Sequence, residues 1–264
     1  MRSIVCVKQV PASNEVRLDE KTNTIIRDGG AAVINPFDSH ALEAALALKE
    51  RFGGTVAVLS MGIPAAAEML RDCVARGADE ALLLTDRAFA GADTLATSYA
   101  LACGVKQLGA FDLLLCGKMA VDGDTAQIGP ELAARLKVPH VSDVFRLEAT
   151  EKDVTVWREM DGCVQQLRLP LPAVLTVTRE LNVPRLPSIA GVLRSKKVQV
   201  QMCNAAQAGA DENCCGLKGS PTQVVATAIP RRTRTVTEVS GSQEQRTKVL
   251  LEIIKGGTKD GAGD

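Results

Sequence analysis

FDLLLCGKMAVDGDTAQIGPEL, residues 111–132, is the stretch on which the fold turns. It opens with an apolar run of strand length, Phe111 to Cys116, and passes through a turn of small and polar residues into a helical pattern ending near Leu136. A strand handing straight to a helix is the corner of a βαβ unit. Gly123 and Gly129 permit close backbone approach, and Asp124 or Thr125 is placed to cap a helix beginning near Ala126. The free N–H groups at such a helix start attract anions. Pro130, read as lying beyond the first turn, predicts a kink. Asp122 and Asp124 would repel a bare phosphate and suit ribose or ribityl hydroxyls, or capping. The motif is neither a Walker loop nor GxGxxG, so its residues leave two readings open: a cradle for a phosphate-bearing ligand, or a plain capped turn.

The same alternation extends outward. Ser3–Val10 reads as a buried strand and Glu15–Arg27 as a hairpin around Asp19–Asn23. Asn35-Pro36-Phe37-Asp38-Ser39 opens a helix that Gly53-Gly54 stops. Thr55–Met61 is a strand, Gly62-Ile63-Pro64 turns into a helix through Ala75, and Glu80–Thr85 is a third strand. Asp93–Leu108 is a helix with Asp93 as a plausible N-cap and the Thr94 and Thr97 hydroxyls on one face. Strands alternating with helices predict an α/β fold, a doubly wound and mostly parallel sheet of the Rossmann-like kind. Its strand tips, Val10-Pro11-Ala12, Ser60-Met61-Gly62, Thr85-Asp86-Arg87 and Gly117-Lys118-Met119, should converge on one crevice.

After Val141 the period changes. Val144–Leu147, Val154–Met160 and Cys163–Leu169 read as an antiparallel β meander, and Ala173–Thr178 as a further strand. From Leu181 dense periodicity is lost, and Pro184, Pro187, Pro221 and Pro230 accumulate. This predicts an extended C-terminal arm lying on another surface, with a last helix, Gln243–Ile254, and a fraying end from Gly256 to Asp264. The expected division is an α/β nucleotide-binding domain over 1–180 and the arm over 181–264.

Composition narrows the function classes. Lys plus Arg and Asp plus Glu both number 31, so no basic excess points to nucleic acid. Eight cysteines show no CxxC spacing, and only two histidines exist, His40 and His140; no metal centre is expected. No G-x-S-x-G elbow or nucleophile–histidine pairing is present, and no catalytic side chain is assigned. The start, MRSIVCVKQV, turns polar too quickly for a signal peptide, and no apolar run reaches membrane-span length, so the expectation is a cytoplasmic protein.

Six stretches resemble the β subunit of electron-transfer flavoproteins: VCVKQVP (5–11), NPFDSHALEAAL (35–46), GKMAVDGDTAQIGPELAARL (117–136), REMDGCVQQLRLPLPAVLTV (158–177), PRLPSIAGVLRSKK (184–197) and GLKGSPTQV (216–224). The resemblance implies a heterodimer with an FAD-carrying α subunit, and a nucleotide site in this chain. Carried over by motif, that site comprises Cys6, Asn35, Pro36, Phe37, Asp38 and Met61. It continues through Gly117, Lys118, Met119, Ala120, Val121, Asp122, Gly123, Asp124, Thr125, Ala126, Gln127 and Ile128. The site holds AMP in the respiratory branch of the family and FAD in the electron-bifurcating branch. DRAFAGADTLATSYAL (86–101) resembles the bifurcating branch, which places Asp93, Thr94 and Thr97 near the flavin ring and favours FAD over AMP.

In that branch NADH delivers hydride to the β-FAD. One electron then passes to ferredoxin or flavodoxin, and the other through the α-FAD to a flavin-dependent dehydrogenase of acyl-CoA, enoyl-CoA or hydroxyacid type. The alternative is a non-bifurcating carrier with structural AMP. Residues 184–197 resemble the family's dehydrogenase-docking loop, with Ile189 as the apolar anchor and Arg185, Arg194, Lys196 and Lys197 around it.

Overall fold

The computed structural model describes residues 1–12, 17–18, 25–26, 32–225 and 238–255. Met1–Val224 forms one compact unit. In chain order it contains β1 (Arg2–Cys6), β2 (Gln9–Pro11), β3 (Arg17–Leu18), β4 (Ile25–Ile26), β5 (Ala32–Ile34), α1 (Pro36–Phe52), β6 (Thr55–Met61), α2 (Ala67–Arg76) and β7 (Glu80–Leu84). There follow α3 (Thr94–Leu108), β8 (Leu113–Gly117), α4 (Ile128–Leu136), β9 (His140–Ala149), β10 (Asp153–Met160), β11 (Cys163–Pro170), β12 (Ala173–Val177), α5 (Ile189–Ser195) and β13 (Gln201–Cys203). A second unit, Val225–Asp264, contains α6 (Gln243–Lys255), whose side chains are exposed.

The expected α/β architecture is present. One nine-stranded sheet runs β11-β10-β9-β12-β8-β1-β6-β7-β13. From β9 to β13 every pairing is parallel; β10 and β11 extend it antiparallel, as the meander reading required. The chain leaves β1 toward β6 and β7, then returns to place β8 on the other side of β1. The switch point of the winding therefore lies between β1 and β8, where an open sheet leaves a crevice at its carboxyl edge.

Strand periodicity sorts the buried side chains onto two faces. Val5, Val58, Leu83 and Leu115 pack with α1 and α2; Ile4, Leu59, Leu84 and Leu114 pack with α3 and α4. Because both faces are covered, these strands read as unbroken apolar runs rather than alternating ones. Pro36 opens α1, where a missing N–H costs nothing, and Gly53 ends it at φ 70°.

Two readings need correction. The first strand is interrupted: Val7 donates its N–H to the Leu59 carbonyl, and the chain then turns to pair β2 with β5. The hairpin persists as the β3–β4 pair, while its turn lies outside the described residues. The second correction concerns the segment after 181, of which 181–224 belongs to the compact unit. Asn182 exchanges hydrogen bonds with His40 on α1, α5 packs on α2, and β13 pairs with β7 at the sheet edge. A seven-residue helix and a three-residue strand are too short to leave a periodic signal. Pro230 and the 256–264 end lie outside the described residues.

Candidate functional site

The walls of the crevice are held by the start of α1. Asn35, immediately before it, is buried; its Nδ2 donates to the Met119 carbonyl at 2.9 Å and its Oδ1 accepts the Val121 N–H at 3.2 Å. Asp38 sits in the first turn, where the helix dipole favours an acid. One oxygen accepts the N–H of Lys8 at 2.8 Å and the other that of Gly117 at 3.1 Å. Lys8 follows β1 and Gly117 ends β8, so one carboxylate spans the switch point. Burial pushes Asp38 up to about 7, against the opposing pull of its bonds with Asn35, Lys8 and Gly117. A Cβ on Gly117 would overlap the Asp38 carboxylate and approach Phe37 Cβ to 2.6 Å, which is why glycine ends this strand.

Beyond Gly117 the turn opens outward. Ala120 accepts the N–H groups of Gly123 at 3.2 Å and Asp124 at 2.8 Å, and Val121–Gln127 is exposed. Asp124 and Ala126 both adopt left-handed backbone at φ 54°. These two residues re-aim the chain so that α4 begins at Ile128, later than the sequence reading had it. Gln127 precedes α4 with no side-chain cap, so neither Asp124 nor Thr125 caps it. Pro130 consequently falls in the first turn, where its missing N–H breaks no helix bond, and the expected kink has no cause. The uncapped N–H groups remain available to an anion. Gly129 lets α4 lie close on β12, since a Cβ there would overlap the Thr176 methyl.

The opposite rim is the start of α3. Asp93 is its N-cap, accepting the Ala96 N–H at 3.0 Å. Its second oxygen accepts from the Thr222 N–H at 3.1 Å and the Thr222 hydroxyl at 2.8 Å. Burial raises this carboxyl, but the bonds from Ala96, Thr222 and Ser220 outweigh it and hold the group below its usual range. The Thr94 hydroxyl donates to Gln127 Oε1 at 2.9 Å, joining α3 to the turn. Arg135 of α4 reinforces the link through the Leu95 carbonyl at 2.7 Å and Ser98 Oγ at 3.0 Å. Thr97 lies one turn on from Thr94 and is half-buried.

The remaining positions contribute differently. The side chains of Cys6, Cys116 and Met61 join the core beneath α3 and α4. Hydrogen bonding with Cys6, then burial, holds the Cys116 thiol well above its usual range, and burial raises Cys73 to about 12; neither is poised as a nucleophile. Lys8 Nζ pairs with Asp122 at 2.7 Å and Lys118 Nζ with Asp143 at 2.8 Å. Among the described residues no group of three His, Cys, Asp or Glu side chains is arranged to hold a metal ion, and no helix is long and apolar enough to cross a membrane.

Thr178, Arg179 and Glu180 were missed. With Phe37, Lys118, Met119, Val121 and Asp124 they line a cleft of about 480 Å³ beside the turn. Arg179 lies over the Phe37 ring, 4.6 Å from its centroid. Hydrogen bonding with Thr178 lowers the Glu180 carboxyl. Only the adjacency of β12 and β8 brings these residues to the site, and nothing in the local sequence signals it.

The 181–197 segment is a braced platform. Arg185 pairs with Glu43 at 2.8 Å and with Glu50, both on α1. Ser188 caps α5 through the Gly191 N–H, and Gly191 lies so close to α2 that a Cβ would overlap the Ala75 carbonyl. Arg194 donates to the Val74 and Ala78 carbonyls at 2.8 and 2.9 Å. Arg185 and Arg194 thus brace the segment, while Lys196 and Lys197 stay exposed. Ile189 is 85% exposed and Leu186, which the sequence reading passed over, 83%.

The profile of the family described as "Electron transfer flavoprotein domain" matches residues 22–208. The chain is 45% identical to "Caffeyl-CoA reductase-Etf complex subunit CarD" of Acetobacterium woodii, covering 94% of this chain and 98% of the relative. It is 44% identical to "Electron transfer flavoprotein subunit beta" of Thermoanaerobacterium thermosaccharolyticum, over 96% and 98%. Identity to "Protein FixA" of Bradyrhizobium diazoefficiens is 42%, over 96% and 91%.

Proposed function

The chain belongs to the electron transfer flavoprotein family, on its β-subunit side, and from that membership we propose that it carries FAD in the crevice between β1 and β8, within a heterodimer with an α subunit. The observation that carries this reading is the chemistry of the crevice itself. Asn35 and Asp38 are spent on holding its walls, which leaves backbone N–H groups and small residues to meet a ligand. The uncapped start of α4 suits the diphosphate; the start of α3, capped by a carboxylate, does not. Asp122, Asp124 and the Thr94 and Thr97 hydroxyls suit sugar, ribityl and ring-edge groups. When bound, FAD supplies the hydride and single-electron chemistry; the chain positions it and limits water.

NADH is the proposed hydride donor, and ferredoxin or flavodoxin the low-potential acceptor. The other proposed partner is a flavin-dependent dehydrogenase, and the name of the Acetobacterium relative, which places that protein in a caffeyl-CoA reductase complex, supports an enzyme acting on a CoA thioester. The test is to copurify the chain with its α subunit and quantify nucleotides. The expected result is two FAD per αβ pair and no AMP; one FAD with one AMP overturns the FAD reading.

Partner docking is proposed on the platform around α5. Ile189 and Leu186 offer exposed apolar side chains, and Lys196 and Lys197 stay exposed beyond the end of α5, a combination that suits an interface hot spot. Ile189→Ala should slow electron transfer to the dehydrogenase by about tenfold, on the order of the 1–2 kcal/mol lost when an anchor is truncated. Because Ile189 is 85% exposed, the denaturation midpoint should not move; a shifted midpoint or lost flavin would make it a fold residue.

A further inference from the structure

We propose that Asp38 is a positioning residue: its carboxylate sets the gap between the ends of β1 and β8, and through that gap the affinity of the crevice for nucleotide. The inference rests on the nucleotide reading above.

The two oxygens take the N–H groups of Lys8, just past the end of β1, and of Gly117, at the end of β8, on the two sides of the switch point. Ladder pairing between β1 and β8 ends at Val5 and Leu115, so no ladder bond fixes the spacing beyond it. Asp38 is 6% exposed and its acceptors are consumed, which leaves it little capacity to bind a ligand directly. Gly117 matches it, because any side chain there would displace the carboxylate. Asn35, one turn earlier, holds the next part of the same wall at Met119 and Val121. Ionisable groups around Asp38 are few. Lys8 attracts the carboxylate from the link that follows β1, while Cys116 on β8 and Cys73 on α2 face it as thiols; Lys8 Nζ is itself turned to Asp122.

The experiment uses the copurified heterodimer. Asp38→Asn keeps the shape but turns an NH2 toward one of the two N–H groups; Asp38→Ala removes both acceptors. Dissociation constants for FAD and for AMP are measured alongside hydrogen exchange at Lys8 and Gly117. The expected result is a graded loss of affinity, about tenfold for Asn and more for Ala, with faster exchange at both amides. In the wild type, exchange at Gly117 should also show a titration step near pH 7, beyond the intrinsic pH dependence of exchange, that the Asn variant lacks. That step needs no substitution and stands even where a variant fails to fold.

Unchanged protection of Lys8 and Gly117 in Asp38→Asn overturns the positioning role. Loosened amides with wild-type affinity overturn the link to affinity and leave the nucleotide reading intact. A wild-type heterodimer that binds neither FAD nor AMP in this chain overturns that reading and, with it, the link to affinity, while the amide measurements still decide the positioning role.

Discussion

Gly117→Ala is expected to strip the heterodimer of the nucleotide proposed for this chain and to lower its unfolding free energy by about 3 kcal/mol. The methyl group would overlap the Asp38 carboxylate and stand 2.6 Å from Phe37 Cβ and 2.7 Å from the Phe37 carbonyl carbon. All three neighbours belong to Phe37 and Asp38 in the first turn of α1, which cannot withdraw without lifting Phe37, Ala41 and Leu42 out of the core. The relief is therefore paid in core contacts and in the Asp38 bonds together. Gly123 provides the comparison within the same turn, since a Cβ there meets only Lys8 Nζ at 4.0 Å. Gly123→Ala should leave the denaturation midpoint where it is. Equal midpoints for the two variants would show that the start of α1 yields, and that the close approach is not a constraint.

The second large effect is a dependence of stability on pH that belongs to one carboxyl. Asp38 has a folded pKa of about 7 against a reference of 3.8, because burial disfavours its ionised form. Between those values the folded chain holds a proton that the unfolded chain releases. The resulting stabilisation is fully present below about pH 4 and lost as pH rises toward 7, by as much as about 4 kcal/mol in total. Carboxyls held low, such as Asp86 and Asp93, act in the opposite sense at the acid end, so the wild-type curve alone does not isolate the effect. The difference between wild type and Asp38→Asn does. Urea unfolding of both from pH 4 to 8 should show the wild type losing ground steadily to the variant across this window. Parallel curves would mean that the Asp38 carboxyl is solvated and titrates normally.

Much of this molecule was legible as sequence, for an identifiable reason. Strands buried on both faces appear as short apolar runs, and helices of 9 to 17 residues show their stripes, so β1, β6, β7, β8 and α1 to α4 could be placed to within a few residues. Asp93 was recognisable as a cap because its partner, the Ala96 N–H, lies three residues away. What failed were readings that depend on backbone sign or on distant partners. The left-handed residues Asp124 and Ala126 delayed α4 and brought Pro130 into its first turn, and nothing in the residue types of DGDTAQ announces that.

The amino-acid sequence by itself determined the α/β class, the winding of strand and helix, and the polar turn that follows β8, because each of these is encoded in local period and local chemistry. Tertiary structure alone decided which polar residues build the crevice and which remain to meet a ligand. Asp38 lies 30 residues from one of its partners and 79 from the other, and Arg185 is 142 residues from Glu43. Sheet order set those meetings by bringing β8 beside β1 and β12 beside β8. A carboxylate in NPFD looks like a ligand group in the sequence; burial against two backbone N–H groups makes it a brace.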